Sequence, residues 1–298
     1  MRYRILGSTG LRVSAIGLGT WQFGGEWGHT FSQADADAIL DQAAEVGINV
    51  IDTAECYGDR LSERLIGDYL SRHDRPRWIV ATKFGHQFKG FMDRSEDFST
   101  AGVRRQLEGS LRALRVETID LYQFHSGSDS QFQNDDLWAM LAEQRRAGKI
   151  RHLGLSIPGK GSEVQTRQAR ILGAEALQVI YSRLDRRAEQ LYFPQARLDN
   201  LGILARVPLA CGLLSGKYRP NATFPSNDRR SALEADRMRA DLIEVERIRK
   251  TEVPEGVPMA QWALAWCLKN PAVSTVIPGC MNPAQVAANA AAAELEIG

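Results

Sequence analysis

The strongest constraint on this chain is a pairing of element types that repeats along its whole length. Short apolar runs occur at residues 15–18, 48–51, 78–81, 119–124, 151–155, 176–180, 203–206 and 273–277. Runs this short and this apolar fit strands buried on both faces, as in a parallel sheet. Stretches with helical spacing separate them, at residues 34–45, 61–70, 103–114, 137–147, 162–172, 188–200, 235–250 and 259–268. A last one, 283–293, closes the chain. Ahead of the series, residues 3–6 and 11–14 flank Gly7-Ser8-Thr9-Gly10 and predict an N-terminal β-hairpin.

Eight strand-helix units in succession predict α/β architecture as a (β/α)8 barrel, in one domain spanning residues 1–298. The competing solution is an open, doubly wound sheet. Such a sheet would carry GxGxxG after its first strand when it binds a dinucleotide. Here the first run leads into Gly17-Leu18-Gly19-Thr20-Trp21-Gln22-Phe23-Gly24-Gly25, where the glycine spacing is wrong. Strand counting alone leaves both architectures open.

Composition removes several classes of partner. The 37 basic residues balance 36 acidic ones, for a formal net charge of +1. Nothing there draws the chain to nucleic acid or to an anionic membrane. No apolar stretch has the length of a membrane span. The four cysteines form no CxxC pair, and the five histidines form no HxH or HxxxH pair, so metal catalysis is not expected. The N-terminus has no signal-like apolar run, which places the expected compartment in a reducing cytoplasm.

Three consecutive runs end on ionisable residues: Asp52, Lys83 and His125. Tyr57 follows Asp52 by five positions. Singly, each has an ordinary reading: a helix cap, a rim charge, a structural histidine, a packed ring. In a barrel all four converge on one mouth, where such folds keep their chemistry.

These four resemble the catalytic tetrad of the aldo-keto reductases, and the chain most resembles bacterial members related to potassium-channel β-subunits. The likeness covers Gly17-Leu18-Gly19-Thr20-Trp21, Asp52-Thr53-Ala54-Glu55-Cys56-Tyr57-Gly58, Thr82-Lys83, Gly154-Leu155-Ser156 and Gln178-Val179-Ile180-Tyr181. It continues through Pro208-Leu209-Ala210-Cys211-Gly212-Leu213-Leu214-Ser215-Gly216-Lys217-Tyr218 and Ile277-Pro278-Gly279 to Asn289.

The resemblance implies hydride transfer between a nicotinamide cofactor and a small carbonyl or alcohol. Tyr57 would give the proton, Lys83 would lower the phenol's pKa, Asp52 would hold Lys83, and His125 would orient the carbonyl. Ser156 and Gln178 would hold the carboxamide and Tyr181 would stack on the ring. Thr20 and Trp21 would lie beside the cofactor. Pro208, Leu209, Ala210 and Gly212 would approach the diphosphate, with Lys217 adding charge. Gly279, Gln285 and Asn289 would surround the adenosine. Ile157, Met281 and Ala288 depart from the family's usual residues. Met281 weakens the case for NADPH, and Arg230 is expected to restore it, with NADH as the second possibility. Trp21, Phe23, Trp27, Phe84 and Phe88 are expected to wall an open substrate pocket, since little sequence follows the last predicted helix. Residues 218–231, rich in Pro, Asn and Asp, are expected to form a lid. The competing function is a weakly active redox-sensing subunit that binds nicotinamide.

Overall fold

A computed structural model describes residues 1–297. Eight parallel strands form one curved sheet in the order β3 (Leu18–Gly19), β4 (Val50–Asp52), β5 (Ile79–Phe84), β8 (Ile119–His125), β9 (Ile150–Ser156), β10 (Ala174–Ile180), β11 (Gly202–Arg206), β12 (Val273–Val276). The first and last strands meet. Ile16 pairs with Val276 and Gly19 with Gly279, and the Gly17 amide donates to the Val276 carbonyl at 2.8 Å. These bridges close the sheet into a barrel, so the end strands β3 and β12 face each other rather than water.

The hairpin forms as expected, with β1 (Tyr3–Ile5) antiparallel to β2 (Arg12–Ser14). It plugs the barrel floor. Leu6 and Val13 pack with Val50, Ala81, Leu121, Ala176, Leu204 and Ile277 in one buried cluster. The fit is close: a Cβ on Gly202 would lie 2.4 Å from Leu6 Cδ1.

The strands alternate their side chains with period two. Two residues beyond Val50, Ala81, Leu121, Ala176 and Leu204 stand Asp52, Lys83, Gln123, Gln178 and Arg206. The same inward face is thus apolar at the floor and polar at the mouth. This alternation builds the site.

Helices cover the outside. α1 (Gln33–Glu45) starts at a capping box in which Ser32 and Asp35 satisfy each other's backbone amides. α2 (Leu61–Leu70) packs on α3 (Thr100–Leu114) at Gly67, where a Cβ would meet the Ala113 carbonyl at 2.1 Å. α5 (Asp135–Arg146), α9 (Ala235–Thr251), α10 (Met259–Lys269) and α11 (Pro283–Ala291) fall close to their expected bounds. Between β8 and α5 lies a single turn, α4 (Asp129–Phe132).

Two predicted helices are shorter than expected. The helix expected over 162–172 is regular only as α6 (Glu163–Gln168), and the chain then turns through Gly173 at φ 82°. The stretch 188–200 breaks into α7 (Ala188–Leu191) and α8 (Phe193–Leu198). The break lies at Tyr192, and Pro194 falls in the first turn of α8, where its missing N–H is tolerated but cannot continue the α7 hydrogen-bond ladder. After β5 the chain makes a hairpin that hydropathy did not reveal: β6 (His86–Gly90) paired with β7 (Asp93–Glu96). Its residues are half-buried or exposed, so it carries no apolar signature.

Replacing Leu6 with Ala should lower unfolding free energy by roughly 2–5 kcal/mol in urea denaturation, because the floor cannot collapse around the cavity. An unchanged midpoint would show that the hairpin is not part of the barrel core.

Candidate active site

Asp52 ends β4 and Lys83 lies one residue from the end of β5. Both are buried, at 4% and 1% exposure. Lys83 Nζ donates to Asp52 Oδ2 at 2.8 Å, to the Thr53 carbonyl at 2.7 Å and to Tyr57 Oη at 3.2 Å. The ammonium's three protons therefore have three acceptors. Asp52 Oδ1 accepts from Gln178 Nε2 at 2.7 Å and from Gln123 Nε2 at 3.2 Å. Asp52 is no helix cap: the residue preceding α2 is Arg60, in the left-handed region at φ 64°.

Tyr57 sits on the loop between β4 and α2. Arg60 fixes that loop by pairing with Glu55 at 2.8 Å and with the buried Glu63 at 3.1 Å. Glu63 in turn accepts from Thr82 Oγ1 at 2.7 Å. Thr82 precedes Lys83, so one ionic network ties the loop carrying Tyr57 to the strand carrying Lys83. The Tyr57 ring stacks on Trp21 at 6.0 Å between centroids. His125, at the end of β8, stands edge-on to it at 6.3 Å, and Cys56 Sγ lies 3.9 Å from His125 Nδ1.

Electrostatics set the protonation states. Burial pushes the Tyr57 phenol above its ordinary value, and the Lys83 ammonium only partly offsets this. The sequence argument gave Lys83 the larger effect; in the structure, desolvation is larger. Burial also works against the Lys83 charge, but Asp52 and Tyr57 outweigh it and hold that pKa above the ordinary lysine value. Burial, with Lys83 close by, holds His125 well below the usual histidine range. At neutral pH the centre is a phenol, an ammonium and a neutral imidazole.

A cleft of about 800 Å3 opens from this centre and runs across the mouth to α11. That lies within the range of roughly 300–1,000 Å3 typical of small-molecule and cofactor sites. Thr20, Trp21, Gln178, Pro208, Leu209 and Gly212 line it, as do Lys217, Arg230, Gly279, Gln285 and Asn289. Ser156 lies just behind the wall, buried, 3.5 Å from Gln178 Oε1. Ala210 belongs to a turn of unusual geometry. Val207, Ala210 and Cys211 have φ of 57°, 47° and 57°, and Gly212 has 91°. A β-branched residue such as Val207 rarely adopts this conformation, and strain of this kind clusters at binding sites. Within the turn the Ala210 amide donates to the Val207 carbonyl at 2.9 Å and the Gly212 and Leu214 amides to the Leu209 carbonyl at 2.8 and 3.1 Å.

Several expected roles meet a different placement. Tyr181 is buried outside the cleft, its hydroxyl donating to Glu189 at 2.8 Å and its ring against Phe193 and Trp266. It lies three residues after Gln178 and so points out of the barrel. Arg206, in phase with Leu204, lines the cleft instead. Phe23 packs against Phe31, and Phe84 joins Phe98, Tyr122 and Phe124 in the core. Phe88 lies on the new hairpin under the Arg94 guanidinium, 5.0 Å away. None of the three lines the cleft, whereas Trp21 and Trp27 do. Arg230 is already paired, with Asp228 at 2.5 Å and with the Tyr218 hydroxyl.

The sequence reading also missed a residue that assembles one wall of the cleft. Glu26 is buried at 2% exposure. It accepts from the Trp21 indole at 2.9 Å, Arg94 at 2.5 Å and the Met92 amide at 2.8 Å. Its own carbonyl accepts from the Arg229 amide at 2.9 Å, beside the Trp27–Asp228 bridge. One residue thereby joins the first loop, the hairpin and the segment expected to be a lid.

Comparison with known proteins agrees with this geometry. The model of the aldo/keto reductase family matches residues 15–297. The chain belongs to the aldo/keto reductase family. It is 33% identical to an uncharacterized oxidoreductase of Bacillus subtilis, YrpG, over all of this chain and 92% of that one. It is 31% identical to L-galactose dehydrogenase of Arabidopsis thaliana, covering 98% of this chain and 88% of that one. Among solved structures it resembles the holo form of an aldo-keto reductase from Bacillus halodurans, with TM-score 0.83, 30% identity and coverage of 100% and 92%. It also resembles the glycerol dehydrogenase of Gluconobacter oxydans, with TM-score 0.79, 30% identity and coverage of 97% and 88%. This aldo-keto reductase is thus an oxidoreductase acting on carbonyl or alcohol groups. Among the described residues no helix is long and apolar enough to cross a membrane.

Asp52→Asn should destabilise the fold by roughly 3–5 kcal/mol, because it leaves Lys83 as an unpaired buried charge. Denaturant unfolding at pH 7 checks this, and a loss under about 1 kcal/mol would mean that the pair is not desolvated.

Proposed function

We propose that this aldo-keto reductase reduces aldehydes or ketones to alcohols with NADPH, with Tyr57 as the proton donor. The observation that carries the reading is the contact of Lys83 Nζ with both Asp52 and Tyr57, at 2.8 and 3.2 Å, in a cleft of about 800 Å3 that extends to α11. When bound, the nicotinamide supplies hydride to the carbonyl carbon.

The chain's own groups do the rest. The cleft side of Tyr57 Oη and the His125 imidazole together receive the substrate oxygen. His125, held neutral, donates one hydrogen bond that orients and polarises it. Tyr57 keeps its proton until charge develops on that oxygen, and then gives it up. Lys83 stabilises the phenolate left behind, and Asp52 keeps Lys83 in place. Gln123 and Gln178 hold the Asp52 carboxylate. In the reverse direction the same phenolate takes the alcohol proton. Trp21, Trp27 and Met92 give the substrate end an apolar wall, with His86 and Ser126 as polar neighbours. A pocket of this make-up suits varied small carbonyls.

Lys217 supports NADPH over NADH. It lines the cleft beyond the strained turn, and no carboxylate pairs with it among the described residues. Arg230 is less suited to a phosphate role because Asp228 already holds it.

Tyr57→Phe should lower the reduction rate by about 10^2–10^4 while NADPH still binds, as read from cofactor oxidation with a panel of aldehydes and ketones. Retained turnover would remove Tyr57 as the donor. Reduction should also hold steady between the ordinary histidine and tyrosine values, about pH 6.5 to about pH 10, because burial moves His125 down out of that window and Tyr57 up out of it. Alcohol oxidation should instead climb with pH, since it needs the phenolate. A drop in reduction centred near pH 6.5, the ordinary histidine value, would show that His125 works as a cation.

A further inference from the structure

Among the described charged groups that end the barrel strands, Arg206 lacks a counter-charge, and unlike the exposed Lys217 at the far part of the cleft it lies beside the Tyr57–His125 centre. Asp52 and Lys83 form a contact pair at 2.8 Å, and Glu26 pairs with Arg94 at 2.5 Å. His125 and Tyr57 are neutral. Arg206 ends β11, in register with Ile180, and continues the inward face of Leu204. One Nη donates to the Ile157 carbonyl at 3.0 Å, while Nε is buried with no partner. No carboxylate lies within salt-bridge distance among the described residues. The side chain nevertheless lines the cleft together with Gln178, Tyr57 and His125. Arg206 is half-buried with its Nε out of water, and a guanidinium partly desolvated without an anion is costly, so sites that keep one use its field.

The reaction changes charge at this spot. Hydride transfer takes the ring of the reduced nicotinamide from neutral to a pyridinium cation, as the carbonyl carbon gains hydride and its oxygen gains the Tyr57 proton. For hydride to reach a carbonyl held at Tyr57 and His125, the ring must sit within about 3–3.5 Å of that carbon. It therefore lies in the part of the cleft that Arg206 borders. Tyr181, expected as an aromatic face for the ring, is elsewhere.

We propose that Arg206 faces the nicotinamide ring and makes the site bind the neutral, reduced form more tightly than the cationic, oxidised form, so that a mixed cofactor pool loads it with reductant and the oxidised product is released readily. The inference rests on the nicotinamide-dependent function proposed above. Arg206 also favours the phenolate of Tyr57 and an anionic substrate oxygen as they form. After transfer, the cation beside the new pyridinium speeds departure of the oxidised cofactor.

The test is a ratio. Dissociation constants for NADPH and NADP+ are measured by fluorescence titration on the wild type, Arg206→Met and Arg206→Lys, with NADH and NAD+ in parallel. A phosphate contact is common to both redox forms and cancels in the ratio, as does a general loss of packing. The wild type should bind the reduced form more tightly. Arg206→Met should shrink the preference by about tenfold or more, within reach of two unit charges a few ångströms apart inside a protein. Arg206→Lys, which keeps the charge, should retain most of the preference. A ratio unchanged in Arg206→Met, with both forms still binding, overturns the proposal and leaves the reductase reading intact. So does a loss confined to the KM of carboxylate-bearing aldehydes, which would assign Arg206 to the substrate. Failure of the wild type to bind either dinucleotide removes both readings together.

Discussion

The barrel mouth is organised around a single expensive fact: a lysine ammonium sits out of water. Lys83 is 1% exposed, and it stays charged because Asp52, the Thr53 carbonyl and the Tyr57 hydroxyl take its three protons. Removing any partner leaves a buried charge or donor unsatisfied. That requirement explains the surrounding shell. Gln123 and Gln178 complete the Asp52 carboxylate, and the Glu55–Arg60–Glu63–Thr82 network pins the Tyr57 loop to the strand carrying Lys83. A tyrosine held this way remains a phenol until an acceptor appears, and its conjugate base has a cation waiting.

The alternation of the strands turns this local demand into a global design. The floor layer of Val50, Ala81, Leu121, Ala176 and Leu204 is apolar and is plugged by Leu6 and Val13. Two residues higher, the same strands present Asp52, Lys83, Gln123, Gln178 and Arg206. Stability and chemistry thus share one inward face at different heights. Glu26 does a similar service for the loops, joining Trp21, Met92, Arg94 and the Arg229 backbone into one wall.

Much of this was legible in the chain. The alternation of eight strands with helices follows from apolar periodicity, and Asp52, Lys83 and His125 stand out because each closes a run; the choice of a closed barrel and the place of Tyr57 in the set came from the family resemblance. What escaped has physical reasons. The hairpin of β6 and β7 buries little apolar surface, so hydropathy does not mark it. The family resemblance placed Tyr181 against the cofactor ring, yet counting by two from Ala176 would have turned it outward. The same count from Leu204 would have brought in Arg206, and from Leu121 it would have brought in Gln123. Phe23 and Phe84 are core residues that only tertiary packing separates from Trp21 and Trp27. Arg230 was read as a free charge, but the sequence could not show Asp228 folding back on it. The balance between burial and Lys83 at Tyr57 depends on how deeply the ring is enclosed, which no local pattern records.

The central claim is that Lys83 is a buried, permanently charged group that owes its charge to Asp52 and serves Tyr57. NMR of the protein labelled with 13C at lysine Cε, with Lys83→Met giving the assignment, reads that charge directly. The account predicts a Lys83 signal at the ammonium position throughout about pH 6–10, because its pKa is held above the ordinary lysine value of about 10.4. A Lys83 that becomes a neutral amine within that range would contradict the account and would require another group to support the Tyr57 phenolate.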